Sequence, residues 1–347
     1  ATSAHMAAGC ESVVIWERDA SGDTLATWIY PTIAEDVRVV LQAEVEAEDG
    51  LRDTERVSHV GDLWLYSATM ASCLPAETLP TVTSFTITMA TRSFHPEKYI
   101  ALVKLMGKTY ADTGAPPQVL ECFLRTLTTG SVSSPLGSWS SAAFPDRDAL
   151  LGGSVKQLFQ TFGVESVLLW HAMLLKKRVV VLASRSEDLL GLTRTLPQLV
   201  WARQDWSLLR PFMPNDDRSA DALRSAGVYV AGFIDGGIRS KPELYDVLAD
   251  ATTQSIQVAE HAKSDFVMTA AHKDMAKFIT ASASSSETDM AIIKALAVRT
   301  KKLLTRLQSI AAENGGAVTV EVLEAAGFDP ATSRFLFNAA IAEGLTK

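Results

Sequence analysis

Two runs rich in β-branched and aromatic residues, Ser12 to Glu17 (SVVIWE) and Thr24 to Tyr30 (TLATWIY), flank the turn-forming DASGD and predict a β-hairpin that Pro31 ends. From Ile33 to Ala47 the apolar positions Val37, Val40, Leu41 and Val45 recur at helical spacing, which predicts a helix with one buried face. Leu63 to Met70 and Thr83 to Thr91 read as two further strands. His95-Pro96-Glu97 opens a helix through Tyr110, with Pro96 suited to its first turn. Pro116-Pro117 interrupts the chain, and Gln118 to Leu127 reads as another helix. Hairpin, helix, strands and helices in that order suit an α+β lobe with an antiparallel sheet.

The pattern then changes. Thr128 to Asp146 (TTGSVSSPLGSWSSAAFPD) is rich in Ser, Gly and Pro with little periodicity, and is expected to mark the lobe boundary. After it come a helix from Ser154, a compact strand Arg178 to Leu182, a helix Glu187 to Trp201, a strand Val228 to Phe233, a helix near Pro242 to Ala249, and a strand Ser255 to Val258. Short apolar strands alternating with helices predict a doubly wound, mainly parallel sheet. Beyond Ser264 only helices are expected: Asp265 to Thr280, a long one from Met290 to Glu313, and two short ones after Gly315-Gly316. The fold class is therefore α/β and α+β, with domains at 1–10 (a tag remnant and disordered start), 11–130, a linker at 131–150, 151–262, and a helical part at 263–347.

Length and composition agree with two lobes plus a helical extension: the chain has 347 residues, of which 47% are hydrophobic and 21% charged. With 32 Lys and Arg against 40 Asp and Glu, the formal net charge is -8, which argues against a general nucleic-acid binder. Cys10, Cys73 and Cys122 are odd in number and form no CxxC pair, so they read as reduced thiols and favour a cytoplasmic setting. No apolar run reaches the roughly 18 residues of a membrane span, since Glu165 and His171 break the strongest, Val164 to Leu175. The opening ATSAHM does not resemble a signal peptide and reads as a vector remnant ending at His5, with Met6 the native start.

The search for chemistry finds little. Gly152-Gly153-Ser154-Val155-Lys156 has small residues but neither the spacing nor the hydroxyl of a phosphate loop, and Gly232 with Gly236-Gly237 lacks the GxGxxG order. The six histidines form no HExxH, His171 reads as a core histidine, and no GxSxG occurs, so no catalytic residue, metal or cofactor is assigned. Two stretches stand out. In TRTLPQLVWARQDW (Thr193 to Trp206), Trp201 and Trp206 either wedge a helix against the sheet or offer a contact surface. In LLKKRVVVL, Lys176, Lys177 and Arg178 meet the end of a helix, where cations favour its dipole.

These stretches also carry a resemblance. SVKQLFQTFGVESVLLWHAMLLKKRVVVLAS, TRTLPQLVWARQDW and YVAGFIDGGIRSKPELYDVLAD, together with WIYP and FHPEKYIALVKLMGKTY in the first lobe, resemble the DENN family over nearly the whole chain. The resemblance implies a longin-like lobe followed by an α/β DENN lobe with a helical extension. It also implies a guanine-nucleotide exchange factor for a Rab small GTPase held across the two lobes, acting peripherally on late endosomes. The alternative it implies is a non-catalytic adaptor for coiled-coil subunits of an endosomal, Commander-type complex. Matching the family's motifs gives Trp28, Tyr30 and Pro31 at the hairpin end, and Arg203, Gln204, Asp205 and Trp206 after the helix, as partner-binding residues. Asp235 joins them because ligand crevices lie beyond the carboxyl ends of such strands. A small-molecule enzyme on the second lobe is the competing class. The acidic polar positions of Gly315 to Leu345 argue against reading its helix-turn-helix pattern as a DNA reader.

Overall fold

The computed structural model describes residues 10–48, 53–71, 79 and 81–346, so the tag expected before Cys10 and the thiol of Cys73 lie outside the described residues. The chain forms two compact units: Ala1–Leu151 with Phe212–Pro214, and Gly152–Pro211 with Asn215–Lys347.

The first unit is built on β1 (Cys10–Asp19), β2 (Thr24–Tyr30), α1 (Glu35–Glu46), β3 (Thr54–Val60), β4 (Leu63–Met70), β5 (Val82–Thr91), α2 (Pro96–Thr113) and α3 (Pro116–Thr129). Its five strands pair antiparallel in the order β2-β1-β5-β4-β3. The first hairpin closes because Asp19 accepts the Ser21 and Asp23 amides while Gly22 takes a φ of 87°. Its register shifts between Ile15 and Trp16, so that Ile15 faces Trp28 but Trp16 faces Ala26, leaving Thr27 as the extra residue of a bulge. Ala26 and Ile29 consequently join Val14, Trp16 and the buried stripe of α1, Val37, Leu41 and Val45. Leu25, Trp28 and Tyr30 stand on the opposite side, opposite Glu17, Ile15 and Val13.

The sequence TERVSHV of β3 shows no clear strand pattern because it places an arginine inward. Arg56 is buried between Glu44 of α1 and Glu48 just beyond it, with Nε 3.2 Å from the Glu44 carboxylate, and its guanidinium lies 5.1 Å from the Phe212 ring. Burial drives the Glu44 carboxyl up to about 7 against the opposing pull of Arg56. Cys10 and Cys122 are free and buried, and burial pushes the Cys10 thiol up to about 12.

The stretch expected to be an irregular linker holds a small hairpin, β6 (Ser131–Ser134) with β7 (Gly137–Ser140), and a single helical turn, α4 (Asp146–Ala149). Val132 and Trp139 are buried, and the indole N–H donates to the Lys98 carbonyl at 2.8 Å. Two inward side chains anchor a segment whose serines and glycines hide any period.

The second unit contains α5 (Val155–Phe162), α6 (Ser166–Leu174), β8 (Val179–Leu182), α7 (Ser186–Thr195), β9 (Leu209–Arg210), α8 (Asp217–Ala226), β10 (Val230–Phe233), β11 (Val247–Asp250) and β12 (Ser255–Val258). The sheet order is β12-β11-β8-β10-β9, parallel throughout except for β12 at the edge. Every residue of β8, β10 and β11 is buried, and since successive side chains point to opposite faces, both faces of the sheet are covered. The helix expected near Pro242 to Ala249 is instead a 3-10 turn, Pro242–Leu244, leading into β11. Four residues buried on both sides carry no period that separates strand from helix. The helices α9 (Ala270–Ser284), α10 (Asp289–Glu313), α11 (Val320–Ala325) and α12 (Pro330–Ala342) complete the unit. No helix among the described residues is long and apolar enough to cross a membrane.

Candidate protein-interaction surface

Strand β2 is the outer strand of its sheet, so among the described residues its far edge has no strand partner. The bulge at Thr27 turns Trp28 and Tyr30 to the side away from α1, where their rings stack at 6.0 Å and 13°. Tyr30 meets Phe123 of α3 edge-on at 6.1 Å and keeps 39% of its surface exposed. Leu25 on the same side is 67% exposed, and Pro31 is exposed where the strand ends.

Helix α3 extends this surface. It buries Val119, Cys122, Phe123 and Thr126, which leaves Leu120, Leu124 and Leu127 on a neighbouring stripe, with Leu124 exposed and the other two half-buried. An apolar arc wider than one buried face was the sequence signal for these leucines. The result is an aromatic and aliphatic surface, bordered on α3 by the exposed ion pair of Glu121 and Arg125.

The remaining candidates lie in the second unit. Arg203 turns inward: it donates to the Met173 and Leu174 carbonyls at the end of α6, both at 2.6 Å, and pairs with Glu343 just beyond α12. Trp206 is buried and meets Trp201 edge-on at 5.8 Å, the wedge arrangement. Gln204, with a φ of 46°, and Asp205, which accepts the Ser207 amide and hydroxyl, are the exposed residues of the RQDW stretch. Asp235 does not join them. Arg203 and Asp205 share a cavity with Val230 at the start of β10, whereas Asp235 follows the other end of that strand. There Asp235 accepts from Gly237 N and Asn215 Nδ2, both at 2.8 Å, and these bonds hold its carboxyl below the usual range.

Two polar groupings of the second unit are held by packing within the fold. The Asp289 carboxylate accepts from Lys156 N and the Ser154 hydroxyl, and so fills the place at the start of α5 where an anion would sit. His171 and His272 form a buried pair among Phe266, Phe335 and Trp170. Thr269 N donates to His272 Nδ1, so the proton of His272 is on Nε2 and is donated to His171 Nδ1. Burial lowers the two to about 3 and about 4, which keeps both neutral at pH 7. Among the described residues no group of three His, Cys, Asp or Glu is placed to hold a metal ion.

An antiparallel-sheet unit with aromatic residues on its edge strand, followed by a mainly parallel α/β unit and a helical end, defines a two-unit α/β protein. Residues 153–260 match the family model described as Stabilization of polarity axis. The chain is 36% identical over 342 residues to DENN domain-containing protein 10 of Danio rerio, covering 97% of each. It is 34% identical over 356 residues to that of Dictyostelium discoideum, covering 96% of this chain and 97% of the relative, and 33% identical over 339 residues to that of Homo sapiens, covering 95% of each. The chain belongs to the DENN domain-containing protein 10 family.

Proposed function

We propose that this protein is a guanine-nucleotide exchange factor for a Rab small GTPase in endosomal trafficking, acting by binding the nucleotide-free GTPase and not through catalytic side chains of its own. The observation that carries this reading is the stacked Trp28 and Tyr30 pair at the edge of the first sheet, with Trp28 half-buried and Tyr30 39% exposed, beside the apolar stripe of α3. Exchange asks for no acid, base or nucleophile. It asks for contact area, because a nucleotide held at nanomolar to picomolar Kd stores about 12 to 16 kcal/mol that the exchange factor must largely offset. Rigid aromatic anchors at the centre of an apolar patch are the side chains that supply such energy. The protein would then reach endosomal membranes peripherally, through its partners.

The test is release of a fluorescent guanine nucleotide from a panel of Rab GTPases. Wild-type protein is expected to accelerate release from one or two of them, and Tyr30→Lys to cut that acceleration by roughly tenfold or more, the effect of losing an anchor of about 1.4 to 2 kcal/mol. Tyr30 is exposed enough for the variant to fold. No acceleration on any member, with the protein folded, would replace the exchange reading by that of an adaptor for coiled-coil endosomal subunits.

A further inference from the structure

In an acidic chain with a formal net charge of -8, helix α10 stands apart: from Lys294 to Arg306 it carries Lys294, Arg299, Lys301, Lys302 and Arg306 and not one Asp or Glu. Arg299, Lys302 and Arg306 follow one another at i, i+3 and i+7 and so line one side of the helix. That side borders a cavity of about 400 Å³ between α9, α10 and α12, floored by Met275, Leu303, Leu307, Ile310, Phe335 and Leu336.

The three cations are exposed and, among the described residues, none pairs with a carboxylate. Arg299 donates to its own helix at Ala295 O and lies 4.1 Å from the Phe278 ring, and Arg306 lies 4.5 Å from the Phe328 ring. These aromatic contacts fix the guanidiniums along the rim without neutralising them. Asp274 and Asp329 also border the cavity, but the Asp329 carboxylate is engaged by the amide and hydroxyl of Thr332 at the start of α12.

We propose that this groove docks an acidic amphipathic helix of a partner protein. The lining runs from Arg299 to Ile310, three helical turns or about 16 Å. An apolar trough of that length accepts side chains repeating at i, i+4 and i+7, and carboxylates on the flank of the same helix meet the row of cations. A lipid headgroup calls for cations converging on one point, whereas these are strung along an axis. The proposal is independent of the GTPase reading, since it concerns other residues, another unit and another chemistry.

The probe is a displayed library of random peptides about 16 residues long, selected on the full chain. Enriched peptides are expected to carry apolar residues at i, i+4 and i+7 with Asp or Glu beside them. Their affinity is expected to fall about tenfold or more for Lys302→Glu with Arg306→Glu, exposed changes whose folding an unchanged melting temperature verifies. Tyr30→Lys is expected to leave peptide binding intact, which separates this site from the exchange surface. Enrichment of no peptide, or of peptides indifferent to the charge reversal, would overturn the proposal. So would sedimentation of the wild-type chain, but not the charge-reversed one, with phosphatidylserine vesicles while no peptide is enriched: that result assigns the face to a membrane.

Discussion

Arg203 lies in the loop that the sequence marks as a contact motif, yet its guanidinium ties the end of α6 to the end of α12, and replacing it distinguishes the two roles. Arg203→Ala removes the donors to the Met173 and Leu174 carbonyls, groups that a helix terminus leaves without intrahelical partners, and strands Glu343. Hydrogen bonds from a charged group contribute about 1.5 to 3 kcal/mol each, so the low end for the two carbonyl bonds gives about 3 kcal/mol. The ion pair adds about 0.5 to 1 kcal/mol at most, because its side chains are 17% and 21% exposed and water can replace it. With water recovering part of the loss, the net expectation is about 3 kcal/mol. In a unit of this size each kcal/mol moves the midpoint by about 2 to 4 °C, so the melting temperature should fall by roughly 6 to 12 °C. Differential scanning calorimetry of the full chain reads this directly. Arg203→Lys, which keeps the charge but only one nitrogen, should lose about half as much, and Glu343→Gln about 1 kcal/mol. A melting temperature within about 2 °C of wild type for Arg203→Ala, combined with lost partner binding, would refute the argument and return Arg203 to the contact surface.

Two further outcomes follow from the second unit. A methyl group built on Gly232 in β10 would lie 2.2 Å from the Pro211 carbonyl oxygen and 2.7 Å from Leu189 Cγ. Because the nearer atom is backbone, Gly232→Ala should cost about 2 to 3 kcal/mol, read as a shift of the urea midpoint, and an unshifted midpoint would contradict the packing. His171 and His272 are held down to about 3 and about 4, below the ordinary value of 6.5. Below pH 6.5 the unfolded chain therefore binds protons that the folded chain does not. Stability from this pair is full above about 6.5 and is lost as pH falls toward 4, with a slope near 1.4 kcal/mol per pH unit for each histidine. Urea midpoints between pH 7 and pH 5 should fall less steeply in His171→Leu than in wild type; parallel curves would show that the pair does not titrate in this way.

Where one chemistry governed an element, it was legible in the sequence. The β-branched and aromatic residues of TLATWIY, the apolar spacing of Val37, Leu41 and Val45, and Pro96 in a first turn each specified their structure locally. Illegible elements depended on partners distant in sequence. Arg56 makes β3 look polar because its partners, Glu44 of α1 and Glu48 just after it, lie in another segment. The hairpin at 131–140 is held by Trp139 reaching Lys98 of α2, a contact that its own serine-rich composition does not announce. The candidate surface was legible in part: the sequence leaves Tyr30 open between a partner contact and a packed core position, and the structure leaves it 39% exposed against Phe123, whereas Leu124 is signalled only by an apolar arc on α3 wider than its one buried face.

The divergence between marked and exposed residues has a physical cause. A stretch such as RQDW is distinctive because several constraints fall on it at once: Arg203 must reach two carbonyls and a carboxylate, Gln204 must adopt a positive φ, and Trp206 must fill a site against Trp201. A contact surface imposes weaker internal constraints, since its outward side chains satisfy nothing in their own fold. What the fold does determine is which residues point outward, and in the first unit one residue decides it. Without the extra position at Thr27, the alternation that puts Ala26 opposite Trp16 would put Trp28 on that same side, among the core residues over α1. The bulge allows the strand to pack Ala26 and Ile29 against the core on one face while placing Trp28 and Tyr30 together on the other. The aromatic pair is thus a product of backbone register as much as of residue type.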